Sequence, residues 1–147
     1  GLVLLFSTHT GEPLMIVPDG VMQRARVGAT NGIAAKHMAR EDADSLAILG
    51  SGWQAGAQLM AHAAVRDLRD IRVYSPTKEN RDAFAAEWSE QVGVEIRSCA
   101  TGEEACKGAA MIACSTNAVM PVFFRDWIEP GMQWSIIPAP ILGATSA

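Results

Sequence analysis

Six consecutive residues, Gly50-Ser-Gly-Trp-Gln-Ala55, carry the spacing with the clearest chemical meaning in this chain. They follow an apolar run, Leu46 to Leu49, and lead into an apolar, alanine-rich segment. Where a strand passes into a helix in this way, the first glycine permits a tight turn and the second lets main chain approach a pyrophosphate. The small sixth residue lets the helix settle on the strand. The helix start adds free N–H groups and the positive end of the dipole, which favour an anion. The spacing predicts a seat for the diphosphate of a dinucleotide, built from Gly50, Ser51, Gly52, Trp53 and Gln54. A plain strand-to-helix turn uses the same two glycines, and the bare motif does not separate the two readings.

Two other clusters fall where such a ligand would extend. An NAD-binding unit usually places Asp or Glu at the end of its second strand, bonding the ribose hydroxyls. Here that stretch reads Val73-Tyr-Ser-Pro-Thr-Lys78, without a carboxylate. Ser75 and Thr77 offer hydroxyls, and Lys78 a positive charge that suits a 2′-phosphate. NADP(H) is therefore expected ahead of NAD(H), which stays open; a strand end followed by a helix cap has the same letters. Further on, Cys114-Ser-Thr-Asn117 closes another apolar run, with Pro121 soon after. The hydroxyl and amide groups of Ser115, Thr116 and Asn117 suit a ribose or carboxamide, and equally an ordinary turn.

The elements that must position these groups alternate in type. Leu2 to Phe6 and Pro13 to Val17 read as a β-hairpin around Ser-Thr-His-Thr-Gly-Glu, and Val21 to about Arg40 as a helix. Strands are expected at Leu46–Leu49, Ile71–Ser75, Val94–Arg97, Ala110–Ser115 and Met132–Ile137. Helices are expected at Trp53–Val65, Lys78–Gln91 behind a Thr77 cap, and from Thr101 to about Lys107, where Thr101 and Glu104 have capping-box spacing. This alternation predicts an α/β, Rossmann-like, doubly wound parallel sheet of order 3-2-1-4-5. Residues 1–40 form the N-terminal hairpin and helix, and residues 41–147 the dinucleotide-binding unit.

Composition bounds the possibilities. The 147 residues are 49% hydrophobic, which suits one unit with a sizeable core. The formal charge of −4 gives no electrostatic case for nucleic acid or an anionic membrane surface. No apolar run approaches the roughly 18 residues of a membrane span. The run Leu2 to Phe6 is too short, and lacks the basic flank, to be a signal peptide. Cys99, Cys106 and Cys114 form no C-x-x-C pair and read as reduced core thiols of a cytoplasmic protein. His9, His37 and His62 are too dispersed for a zinc site, so no metal is expected. A start at Gly1 in a strand-like run suggests a piece of a longer or processed protein.

Taken together, these segments resemble the ornithine cyclodeaminase/mu-crystallin family. The match is carried by Thr10-Gly-Glu-Pro-Leu14, Arg26-Val-Gly-Ala29, Ala34-Ala-Lys-His-Met-Ala-Arg40 and Gly50-Ser-Gly-Trp-Gln-Ala55. Val73-Tyr-Ser-Pro-Thr77, Ser115-Thr-Asn117 with Pro121-Val122, and Pro130-Gly131 continue it in collinear order. The resemblance implies NAD(H) or NADP(H) as cofactor and a small amino acid or cyclic imine as substrate. Its members include cyclodeaminases (a lyase activity), ketimine reductases and amino-acid dehydrogenases. It puts the phosphate loop at Gly50–Gln54, the adenine ribose near Ser75, Thr77 and Lys78, and the nicotinamide side near Ser115–Asn117. It also matches Arg26 to the arginine that holds the substrate carboxylate, a task for which a bidentate guanidinium is suited.

The departures from the family pattern matter as much. Val27 stands where the family usually has threonine, which removes one hydroxyl near the phosphates. The family's substrate lysine and second arginine lie in an N-terminal region outside this sequence. Its catalytic aspartate lies beyond the fifth strand, and no carboxylate follows Glu129 here. The expectation is a dinucleotide-binding module without the complete catalytic set. An active oxidoreductase completing its site across subunits, and a degenerate fragment that binds nothing, are the alternatives. In each case the apolar hairpin strands are expected to seek a partner, giving a homodimer.

Overall fold

The chain's computed structural model describes residues 1–137 and, beyond them, the strand Leu142–Gly143. The rest of the carboxylate-free tail lies outside the described residues.

Apolar runs without polar alternation belong in strands covered on both faces. Strand β3 (Ser45–Leu49) and, in a later position, the strand Met111–Ser115 are such runs and are buried along their whole length. In chain order the elements are β1 (Leu2–Phe6), β2 (Pro13–Pro18), α1 (Asp19–Met38), β3, α2 (Trp53–Ala63), β4 (Asp70–Tyr74) and α3 (Lys78–Val92). There follow β5 (Ile96–Ser98), α4 (Gly102–Cys106), β6 (Met111–Ser115), β7 (Phe123–Phe124), a 3₁₀ turn (Arg125–Trp127), β8 (Gln133–Ile137) and β9 (Leu142–Gly143). The central sheet has the order β5-β4-β3-β6-β8, all pairs parallel. Counted from its first strand this is 3-2-1-4-5, the expected doubly wound order.

Successive residues of β3 serve opposite faces. Leu46 and Ile48 join Ala35, Leu59, Phe84 and Trp88 in an apolar layer under α1, α2 and α3. Ala47 and Leu49 join Ala105, Cys106 and Phe123 in a second layer on the α4 side. Helix α1 crosses α2 closely because two glycines face it. A Cβ on Gly28 would stand 2.6 Å from the Ala57 carbonyl oxygen, and one on Gly32 2.9 Å from that of Ala61. Arg66, just after α2, donates from Nη2 to the carbonyls of Ala35 and Ala39, closing the end of α1. The front half of α1 is thereby held beside the start of α2.

Element boundaries shift by up to two residues: the helix expected from Val21 to about Arg40 forms at Asp19–Met38, and the third core strand is displaced as well. Expected at Val94–Arg97, it forms at Ile96–Ser98. Gly93 ends α3 in the left-handed region, with φ of 69°, and Val94 is used in the turn. The Ile96 N–H then donates to the Ser89 hydroxyl at 2.9 Å before pairing begins. The Thr101 cap forms as spaced: the Glu104 N–H donates to Thr101 Oγ1 at 3.1 Å, while the Glu104 carboxylate accepts the Ala100 N–H.

The hairpin β1–β2 is antiparallel, pairing Val3 with Val17 and Leu4 with Ile16. Apolar side chains occupy both of its faces, and Leu2, Phe6, Leu14 and Ile16 are exposed. Among the described residues, no helix is long and apolar enough to cross a membrane.

Candidate functional site

The carboxyl ends of β4, β3, β6 and β8 open into one cleft of about 700 Å³. Parallel strands end there together, and each chain segment turns away into a helix or loop, so side chains and amides converge without closing the space. The turn after β3 is set by Gly50. Its φ is 113°, and a Cβ there would meet the Ser115 carbonyl oxygen at 2.2 Å. Glycine is thus required at position 50 by the fold itself.

Gly52 differs. It is the N-cap of α2, its φ is −88°, and among the described residues a Cβ built on it meets nothing within 4 Å. Neither backbone conformation nor internal packing asks for glycine here. What the missing side chain leaves is open space over the first amides of α2, whose N-terminus has no side-chain cap. The Ala55 N–H donates to the Gly52 carbonyl at 3.0 Å, while the amides of Trp53 and Gln54, in the first turn, have no acceptors within the helix. Two residues of the cleft lining also carry buried polar atoms that have no partner among the described residues, Ser115 Oγ and Gln54 Oε1. Unpaired polar atoms in a closed interior are costly, and a polar ligand is one means of satisfying them. Gln54 reaches sideways as well, its Nε2 donating to Gln23 Oε1 of α1 at 3.1 Å. Ser51 donates to Ser75 across the turn at 2.8 Å, tying the β3 and β4 loops together.

Ten of the residues singled out in the sequence line this one cleft: Gly50, Ser51, Gly52, Trp53, Gln54, Ser75, Thr77, Ser115, Thr116 and Asn117. Lys78 does not. Its ammonium pairs with Asp82 one helical turn on, away from the cleft lining. That ammonium is the largest cause holding the Asp82 carboxyl below its ordinary pKa, ahead of the Ser98 hydroxyl. Arg26 is exposed on α1 and is not part of the lining. Thr77 occupies the N-cap of α3, but its side chain makes no cap bond. Glu129, one of the carboxylates after β6, is used structurally, accepting the Gly108 N–H at 2.9 Å.

Sequence reasoning missed Pro76, Asn80 and Ile137, the other described residues of the lining. Asn80 lies in the first turn of α3, where its spacing from Thr77 was a usable signal. It also missed an apolar recess of about 410 Å³ on the α4 side, sharing Gly50, Ser75, Pro76 and Thr116 with the cleft. Tyr74, Pro121, Val122, Phe124 and Trp127 wall it. The Trp127 indole N–H is buried and has no acceptor among the described residues. The aromatic cluster Phe123-Phe124…Trp127 after Pro121 was its sequence signature.

A parallel sheet of this order, with a glycine turn leading from its first strand into a helix, is a Rossmann-like fold. The chain belongs to the ornithine cyclodeaminase/mu-crystallin family, whose model matches residues 1–146. It is 39% identical over 123 residues to a Delta(1)-pyrroline-2-carboxylate reductase of Bacillus cereus, covering 84% of this chain and 38% of that one. With the rat ketimine reductase mu-crystallin the identity is 31% over 137 residues, covering 93% and 42%. Among solved structures, Thermococcus litoralis Delta(1)-pyrroline-2-carboxylate reductase, in complex with NADH and L-proline, superposes with a TM-score of 0.86 at 34% identity, over 89% of this chain and 41% of that one. An archaeal alanine dehydrogenase dimer with bound NAD gives 0.85 at 29% identity, over 90% and 41%. The chain spans about two-fifths of the length of these relatives.

Proposed function

We propose that this chain is the dinucleotide-binding part of a family oxidoreductase, taking NADP(H) ahead of NAD(H) along the carboxyl ends of β4, β3, β6 and β8. The observation that carries the reading is Gly52, a glycine with no internal reason to be one, placed over the open amides of α2. Pyrophosphate oxygens accept from those amides and gain from the helix dipole. Ser75, in the carboxylate-free stretch Val73–Lys78, faces the adenosine ribose. The apolar recess under Tyr74 and Trp127 accepts the adenine ring, whose nitrogens offer an acceptor to the Trp127 N–H. Ser115, Thr116 and Asn117 lie at the other end, against the second ribose and carboxamide.

When bound, the nicotinamide supplies or takes a hydride; the protein's part is to aim it. Ser115 Oγ, buried and without a partner among the described residues, fixes that end of the cofactor by a hydrogen bond. Ile137, paired with Ser115 in the sheet, adds an apolar side chain to the lining at that end. Arg26, exposed on α1, holds the carboxylate of a small amino acid or cyclic imine, in keeping with the relatives that are reductases of such compounds. Residues 41–147 form the dinucleotide unit, without the complete catalytic set, and residues 1–40 belong with the substrate side. The hairpin, apolar on both faces, joins two copies in a cytoplasmic homodimer.

The test is quenching of Trp53 fluorescence, since this side chain lines the cleft and is 61% exposed. NADPH and NADH titrations give saturable quenching in the unaltered chain. Gly52→Val weakens both by more than about tenfold, with thermal unfolding unchanged, because a buried phosphate loses its amide donors. Equal binding by Gly52→Val would overturn the reading.

A further inference from the structure

The charge that was expected to meet a 2′-phosphate, Lys78, is already paired with Asp82 outside the cleft. The next cation along α3, Arg81, is occupied too, its Nη1 donating to the carbonyls of Ser75 at 3.0 Å and Pro76 at 3.4 Å. A third cation stands at the same end of the cleft and comes from a distant part of the chain. Between the starts of α2 and α3 the cleft continues into an annex of about 620 Å³, the two sharing Ser51, Gly52, Trp53 and Asn80 as walls. Arg24 of α1 lines this annex.

Arg24 sits in a built slot. Its guanidinium carbon lies 4.1 Å from the centroid of the Trp53 ring and 5.7 Å from that of Trp88. The floor of the slot is Gly56, where a Cβ would come within 2.7 Å of Arg24 Nη2 and 2.1 Å of the Trp88 ring. Aromatic faces hold a guanidinium plane without neutralising it, and leave its N–H edge free to donate. Among the described residues Arg24 forms no ion pair with a carboxylate. The acid that also lines the annex, Glu87, is seven residues beyond Asn80, roughly 10 Å along the helix axis. At the ribose end the wall is Ser51 and Asn80, both neutral hydrogen-bonding groups.

We propose that Arg24 is the residue that discriminates between the two nicotinamide dinucleotides, its guanidinium pairing with a 2′-phosphate that projects from the cleft into the annex beside Ser51 and Asn80. The inference rests on the dinucleotide reading of the cleft and goes beyond it by assigning the specificity to α1 in place of the β4–α3 loop. A phosphate monoester presents two oxygens to a guanidinium fork, which gives a directional pair of charge-assisted bonds. A ribose hydroxyl at the same place gains little from the cation.

The experiment is isothermal titration calorimetry of the full chain and its variants with NADPH, NADH and 2′,5′-ADP, each at low and at high salt. Arg24→Gln weakens NADPH and 2′,5′-ADP by about tenfold or more and NADH by less than about twofold, the scale of a lost charged hydrogen bond. Arg24→Lys recovers part of that difference, since it keeps the charge and loses the fork. The NADPH advantage of the unaltered chain also shrinks as salt rises. Circular dichroism melting of both variants checks that Trp53 and Trp88 still pack. An unchanged NADPH-to-NADH ratio in Arg24→Gln overturns the assignment while leaving the cleft reading intact. So does a ratio that collapses only in Lys78→Ala. Absence of binding by either dinucleotide to the unaltered chain overturns both.

Discussion

Strands β1 and β3 are both apolar runs, Leu-Val-Leu-Leu-Phe and Ser-Leu-Ala-Ile-Leu, yet they end in opposite surroundings. Leu46 and Ile48 of β3 are wholly buried, while Leu2 is 67% and Leu4 50% exposed. Residue type does not separate them; connectivity does. A parallel strand is reached by a crossover, and the helix in that crossover is laid over the sheet. Strands β3, β4, β5 and β6 therefore bring their own cover, in α2, α3 and α4. The hairpin is closed by a short turn around Gly11, which delivers no element to either face. An apolar strand states a need for burial, and the connection to its neighbour decides whether the same stretch of chain meets it.

That contrast makes predictions of different size. Gly50→Val has the largest expected effect, because it opposes a φ of 113° and drives a Cβ to 2.2 Å from the Ser115 carbonyl. It prevents accumulation of folded protein, seen as loss of the cooperative urea transition. Leu46→Ala leaves a cavity between β3 and the helices and costs about 2–5 kcal/mol in the same measurement. The matching change in the hairpin, Leu4→Ala, costs less than about 0.5 kcal/mol, as at exposed positions generally. A Leu4→Ala loss as large as that of Leu46→Ala would show that the hairpin is covered in solution. Pairing two copies through the hairpin would supply that cover, and light scattering reads it as a dimer mass that the double variant Leu4→Lys, Ile16→Lys halves.

Two smaller effects sharpen the picture of the covered half. Cys99, Cys106 and Cys114 are all buried, and burial is the largest cause raising each thiol's pKa, that of Cys114 to about 12. Thiolate is the reactive form, so native protein resists a thiol reagent that modifies all three cysteines after denaturation. Fast labelling of the native chain at neutral pH would contradict the packing of the α4 layer. His62 is buried in α2, and burial lowers its pKa against the weaker opposing effect of the Nδ1–H bond to the Gln58 carbonyl. The folded state thus holds the ring neutral while the unfolded state takes up a proton near pH 6.5. Stability is full above that value and falls as the pH drops below it, by no more than about 1.4 kcal/mol per pH unit for one proton. His62→Gln flattens this slope in urea midpoints measured from about pH 7.5 to about pH 5.5, a window spanning the ordinary histidine pKa.

Much of the architecture was legible in residue order. Period and turn chemistry placed the alternating strands and helices, and the handedness of crossovers gave the sheet order. The third core strand starts two residues later and ends one residue later than expected because Gly93 terminates α3 and takes Val94 into the turn, a choice made by one left-handed residue. The cleft lining was legible where a strand end dictates direction, as at Ser75 and Ser115. Lys78 was not, because a charge's type is written in the sequence and its direction is set by neighbours, here Asp82. The slot joining Arg24, Trp53 and Trp88 was illegible for a further reason. Its members come from three helices, and only the close crossing at Gly28 and Gly32 brings the first of them to the other two.

The most direct test is a calorimetric titration of the unaltered chain with NADPH and with NADH. Saturable heat at one site per chain is expected with both, with NADPH tighter by about tenfold, or about 1.4 kcal/mol. No heat of binding with either, in protein that melts cooperatively, would contradict the assignment of the Gly50–Gln54 turn to a dinucleotide.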